Sequence, residues 1–146
     1  MTNKLNIIVN SRSEGLTITN KAGKHEFIID EGKQMGGRDL GPNPLQSVLG
    51  ALAACENVTA RVVAREMNFD FKDMELKISG KFDPRGFMGS PHIRPYFEAV
   101  KVDVRIITTE PEGRINELQH KVESRCPVYT MLKAAQVEMI DSWQKA

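Results

Sequence analysis

Cys55 and Cys126 are the only two thiols in this chain of 146 residues, and their surroundings differ in ways that matter for chemistry. A thiolate can attack an electrophilic oxygen, become a sulfenic acid and condense with a second thiol before over-oxidation. That cycle needs two cysteines and neither metal nor flavin. Cys55 stands inside a long apolar stretch, where burial alone would raise its pKa and leave it inert, so a nearby cation must favour its ionised form. Taken alone it also fits a small buried hydrophobe, since free cysteine is among the most buried residue types. Cys126 immediately precedes Pro127, which cannot continue a helix but suits the first position of a new one. The spacing therefore puts Cys126 at or beside a helix N-cap, where the dipole favours thiolate and is expected to lower its pKa from about 8.5. Two cysteines in a reducing compartment form no structural framework and are either inert or a redox pair. Cys-x-x-Cys is absent, and His25, His92 and His120 share no metal-ligand spacing.

The elements that must position these thiols follow from caps and periodicity. Asn43 is a favoured N-cap, Pro44 needs no N–H there, and Gln46 lies where its side chain can reach back to the cap N–H, so a helix is predicted over Pro44 to Met67. From Val48 to Cys55 no side chain is polar, which predicts a helix half buried on every face. Before it, Leu5–Val9, Leu16–Thr19 and Glu26–Ile29 read as three short strands of a meander, with residues 11–15 and 21–24 as turns. Asp30 to Gly41 reads as a glycine-rich loop. After it, Met74–Phe82 and Val100–Ile106 alternate with period two as half-buried strands, joined by a long loop over 83–95. Phe87, Met88 and Ile93 on that loop fit either a lid over an apolar substrate or packing beneath the loop. Ile115, Leu118 and Val122 mark a second helix ending near Ser124, Pro127 opens a third, and Val137–Trp143 closes as a strand.

Composition bounds the partners. Twenty basic against nineteen acidic side chains leave a charge of +1, with no like-charge run, which speaks against a nucleic-acid or membrane-surface footprint. No unbroken apolar run approaches the roughly 18 residues of a spanning helix, and the first residues lack the pattern of a signal peptide. A cytoplasmic, single-domain protein over residues 1–146 is expected.

The order of three strands, a helix, two strands, two helices and a strand, with Gly41-x-Asn43-Pro44, Ala53-Ala54-Cys55 and Cys126-Pro127 in place, resembles the OsmC/Ohr family of hydroperoxide-reducing proteins. The resemblance covers essentially the whole chain and implies an α+β fold built as an intertwined homodimer with sites at the subunit interface. It implies a peroxidase in oxidative-stress defence: Cys55 reduces an organic hydroperoxide, Cys126 resolves the sulfenic acid as a disulfide, and a dithiol reductant restores both, with no cofactor. It also implies an activating arginine from the N-terminal strands. Arg12 sits in that region, with Arg38 as a rival. The family glutamate that holds this arginine directly follows Asn-Pro, and here that position is Leu45; Gln46 and Glu56 are only neighbours. This departure favours a divergent member, and the alternative it implies is a non-catalytic relative that binds a small hydrophobic ligand or responds to redox state.

Overall fold

The computed structural model describes residues 3–146. They form two compact units, one ending at Val48 and the other running from Leu49 to Ala146. The first holds an antiparallel meander of β1 (Asn10–Glu14), β2 (Thr17–Ala22) and β3 (His25–Ile29). Its first strand is displaced from the expected Leu5–Val9, and the segment read as a turn, Ser11 to Glu14, lies within β1. The reason is the turn itself: Gly15 takes φ +63° and Glu14 pairs with Thr17, so pairing must begin at once on either side of a two-residue connection. Residues 5–9, apolar but for Asn6, carry no regular structure and stay exposed.

The loop that follows is organised by a buried carboxylate. Asp30 accepts hydrogen bonds from the Thr17 hydroxyl (2.9 Å) and from the backbone N–H groups of Glu31 (2.8 Å), Leu40 (3.2 Å) and Arg38 (3.3 Å). Burial pushes this carboxyl up, but the four bonds outweigh it, and its pKa lies below the usual 3.8. A depressed folded pKa gives a contribution present above the unfolded value and lost as pH falls through the folded one. Amide exchange at Arg38 and Leu40 is therefore expected to quicken on acidification below about pH 4, the ordinary carboxylate range, and to be fast at every pH in Asp30→Ala. Exchange in the wild type that ignores acid would contradict this role.

In the second unit β4 (Asp73–Lys81), β5 (Ala99–Ile107) and β6 (Glu138–Lys145) make a sheet with β5 central, antiparallel to β4 and parallel to β6. Val100, Val102, Val104 and Ile106 bury one face of β5, while Lys101 and Arg105 point to the other. The parallel pairing needs a crossover, supplied by α3 (Glu112–Arg125) and α4 (Pro127–Ala134). Ile115, Leu118 and Val122 bury the inner stripe of α3. Phe97 lies over β4 where a side chain would stand at Gly80, so that a Cβ there would overlap its ring. Gly80→Ala should thus displace Phe97 and cost about 1–3 kcal/mol; a urea midpoint equal to wild type would contradict this contact.

The central helix, α1, spans Pro44–Met67 as predicted. Its capping box is formed: Gln46 N–H donates to the Asn43 side-chain oxygen at 2.8 Å, and Asn43 N–H to the Gln46 side-chain oxygen at 2.9 Å. The all-round burial expected for Val48 to Cys55 is not found, since Leu52 alone in that stretch is buried and Val48 is 40% exposed. Further on, Val58 and Val62 are 61% and 43% exposed. An apolar helix face shows what can be buried, not what one chain supplies. Scored over a window instead of an unbroken run, α1 is long and apolar enough to cross a membrane. However, its stripe of Leu52, Ala60, Val63 and Ala64 is core here.

The 83–95 segment is not all loop. Asp83 caps a short helix, α2 (Pro84–Phe87), accepting from Arg85 N–H at 3.0 Å and pairing with the Arg85 guanidinium at 2.6 Å. Phe87 and Met88 are 70% and 78% exposed, so they do not pack beneath it.

Candidate active site

Cys55 and Cys126 are brought together. α1 holds Cys55 at the start of its fourth turn, half-buried, with the Thr59 hydroxyl donating to its carbonyl at 2.7 Å. Val122 closes α3 by accepting from Cys126 N–H at 2.8 Å. Pro127 then opens α4 with Cys126 as its N-cap, in extended conformation and wholly buried. Both thiols are free, and the Cys55 side chain is near enough to act on the Cys126 thiol.

The expected lowering of the Cys126 pKa is overturned. Burial pushes this thiol up to about 11 from 9.0, against the pull of the Tyr129 backbone N–H. That N–H is the helix-terminal effect read from the sequence, and desolvation exceeds it. Interaction with the Cys55 side chain and the Glu56 charge add to the rise. Cys126 is therefore held as a thiol and not poised as a thiolate.

Beside the sulfurs lies a set of acidic groups that the cysteine pattern did not reveal. Glu56 is completely buried, and neither of its carboxylate oxygens has a hydrogen-bond partner. Burial first, then the charges of Asp141 and Glu123, push its pKa from 4.5 to about 8. The Tyr129 hydroxyl donates to Asp141 at 2.6 Å; burial, this bond and the surrounding carboxylates raise the Tyr129 pKa further still. Burial also raises Glu123, which accepts a hydrogen bond from Gln119 at 3.0 Å. One signal was available for Glu56: it is in helical phase with Leu52, Ala60 and Val63, on the buried stripe instead of the solvent side. Nothing local in the sequence marks Asp141 or Glu123 as its neighbours.

Arg12 belongs to the other unit. It lies on β1 opposite Thr19, exposed, and borders an open groove of about 710 Å³ with Glu14, Lys21 and Glu26. Arg38 is committed within that same unit, donating to Thr17 at 3.0 Å and pairing with Glu14 at 3.5 Å. Leu45 is half-buried in the first turn of α1. Among the described residues no group of three or more His, Cys, Asp or Glu could hold a metal ion.

An α+β chain whose central helix carries a free thiol beside a second one at a helix cap defines a dithiol protein of OsmC-like architecture. Residues 36–139 match the family model described as OsmC-like protein, and the chain belongs to that family. Among solved structures it is similar to an OsmC-like protein from Mycoplasma pneumoniae, at 19% identity and a TM-score of 0.83, over 99% of this chain and 100% of that one. An organic hydroperoxide resistance protein from Elizabethkingia anophelis, with crystallant-derived thiocyanate bound, is 16% identical with a TM-score of 0.76, over the full length of both. The organic hydroperoxide resistance protein OhrB of Bacillus subtilis is 21% identical with a TM-score of 0.67, over 95% of this chain and 98% of that one. No curated protein matches the sequence.

Proposed function

We propose that this protein is a thiol-dependent peroxidase that reduces organic hydroperoxides in peroxide defence, and the observation that carries the reading is the neighbouring pair of free thiols, Cys55 and Cys126. The Cys55 thiolate attacks the distal oxygen of the hydroperoxide, the O–O bond breaks, and the alkoxide leaves and is protonated to the alcohol. Cys126 then attacks the sulfenic sulfur, the S–O bond breaks, and water leaves as the disulfide forms. A dithiol reductant returns both thiols by exchange through a mixed disulfide. A cytoplasmic setting keeps the resting pair reduced.

Cys55 is the half-exposed sulfur and Cys126 the buried one, which supports attack at Cys55 and resolution from Cys126. The apolar face of α1 exposed at Val48, Val58 and Val62 supports a homodimer, in which a second chain covers it and Arg12 serves as the activating cation. Leu45, in place of the family glutamate, favours a second reading, in which the same site binds a small hydrophobic molecule or signals redox state without turnover.

Stopped-flow oxidation of the reduced protein decides between them. Organic hydroperoxide is expected to remove two thiols per chain quickly, and hydrogen peroxide much more slowly. Thiols that survive an excess of organic hydroperoxide would overturn the peroxidase reading and leave the ligand-binding one.

A further inference from the structure

Among the described residues, Glu56 is the one fully buried carboxylate whose two oxygens both lack a hydrogen-bond partner. Such a group is costly to bury, and an apolar side chain of similar volume would fill the space at less cost. Its place is specific. It follows Cys55 on α1, and its charge acts on both the Cys126 thiol and the Tyr129 hydroxyl of α4. The other groups acting on it are Asp141 from β6 and Glu123 from α3, all of one sign. Asp141 is engaged by the Tyr129 hydroxyl and Glu123 by Gln119. Glu56 is thus the carboxyl group in this cluster with both oxygens uncommitted.

We propose that Glu56 is the proton carrier of the thiol pair, taking the Cys126 proton as that sulfur attacks Cys55 and returning it to the group that leaves. The inference rests on the thiol cycle proposed above. In the resolving step the Glu56 carboxylate accepts the thiol proton, directly or through one water. The Cys126 sulfur forms its bond to the Cys55 sulfur, and the S–O bond of the sulfenic acid breaks. The departing hydroxide takes the proton back from the Glu56 carboxylic acid and leaves as water, so Glu56 ends as it began.

Energetics favour such a carrier. With its pKa near 11, Cys126 would by itself be a thiolate in about one molecule in ten thousand at pH 7. A carboxyl group that titrates near 8 can both accept and release a proton close to neutrality, as a general acid–base group must. The same two groups make the fully buried thiol usable without exposing it to solvent.

The test uses the full-length reduced protein with two oxidants. Ellman's reagent reacts first at Cys55 and releases one thionitrobenzoate; attack by Cys126 on the mixed disulfide releases the second. Glu56→Gln is expected to leave the first release within about threefold and to slow the second at least tenfold at pH 7, within the roughly 10²–10⁴ range of general acid–base catalysis. In the wild type the second release should rise with pH and level off above about 8, whereas in the variant it should keep rising toward the ionisation of Cys126 itself. A second release unchanged by the substitution, or a wild-type profile with no levelling near 8, overturns the assignment, and the wild-type profile decides even if the variant fails to fold. Cumene hydroperoxide is the second oxidant. If it fails to oxidise Cys55 while the Ellman steps behave as described, the peroxidase reading falls and the proton carrier stands.

Discussion

Glu56→Gln should stabilise the protein by about 4–5 kcal/mol above pH 9, by about 3 kcal/mol at pH 7 and by almost nothing at pH 4. The ordinary carboxyl of the unfolded chain ionises near 4.5, and the buried one near 8. Between those values the folded state holds a proton that the unfolded state has released, so stability falls as pH rises. Each unit of that difference is worth about 1.4 kcal/mol. The favourable neutral form is fully present below the unfolded pKa, and its advantage has gone once pH passes the folded one. Glutamine carries the same shape and no charge, so it keeps the low-pH stability at every pH. In a chain of this length the gain above pH 9 corresponds to a rise in Tm of roughly 10 °C or more, at about 2–4 °C per kcal/mol. Thermal unfolding at pH 4, 7 and 9 and fixed protein concentration checks this. A wild type as stable at pH 9 as at pH 5 would contradict the burial of an ionisable Glu56.

The second large effect separates the two thiols. In Cys126→Ser a single equivalent of organic hydroperoxide should still be consumed quickly, and dimedone should then label Cys55. Turnover should cease, and excess oxidant should carry Cys55 on to the sulfinic acid, because the partner that removes the sulfenic state is gone. In Cys55→Ser the fast equivalent should vanish altogether, since the remaining thiol is wholly buried and its pKa is raised. Mass spectrometry of the intact protein resolves these species: one added oxygen, two added oxygens, or none. Rapid sulfenic acid at Cys126 in the Cys55→Ser protein would exchange the two roles.

Much of this arrangement was legible in sequence, for reasons that differ by element. α1 announced itself because Asn43, Pro44 and Gln46 are local devices whose partners lie within one turn, and the structure forms them. β5 was equally plain, since alternation survives wherever one face is buried. β1 was misplaced because its residues, Asn10 to Glu14, are polar and exposed throughout, so no burial pattern could mark them; only the Gly15 turn determines their register. The placement of Cys126 at a helix start followed from Pro127, but the direction of its pKa did not. A helix end is a local property, whereas burial of the sulfur depends on the rest of the fold, which also brings Cys55 and Glu56 of α1 to act on it. The same distance hid the Glu56, Glu123 and Asp141 cluster.

The parallel placement of β6 beside β5 has a consequence during protein synthesis. Strand β6 can join its sheet only after the crossover of α3 and α4 has been made, and the crossover is also what carries Cys126. Cys55 therefore leaves the ribosome long before its partner. At about 5–20 residues per second, the roughly 90 residues from Cys55 to the end of β6 take on the order of 5–20 s to add. On the proposed cycle the nascent helix carries, throughout that interval, a thiol with no partner to resolve it, so an oxidant that the finished protein is expected to survive should carry Cys55 of the unfinished one on to the irreversible sulfinic acid.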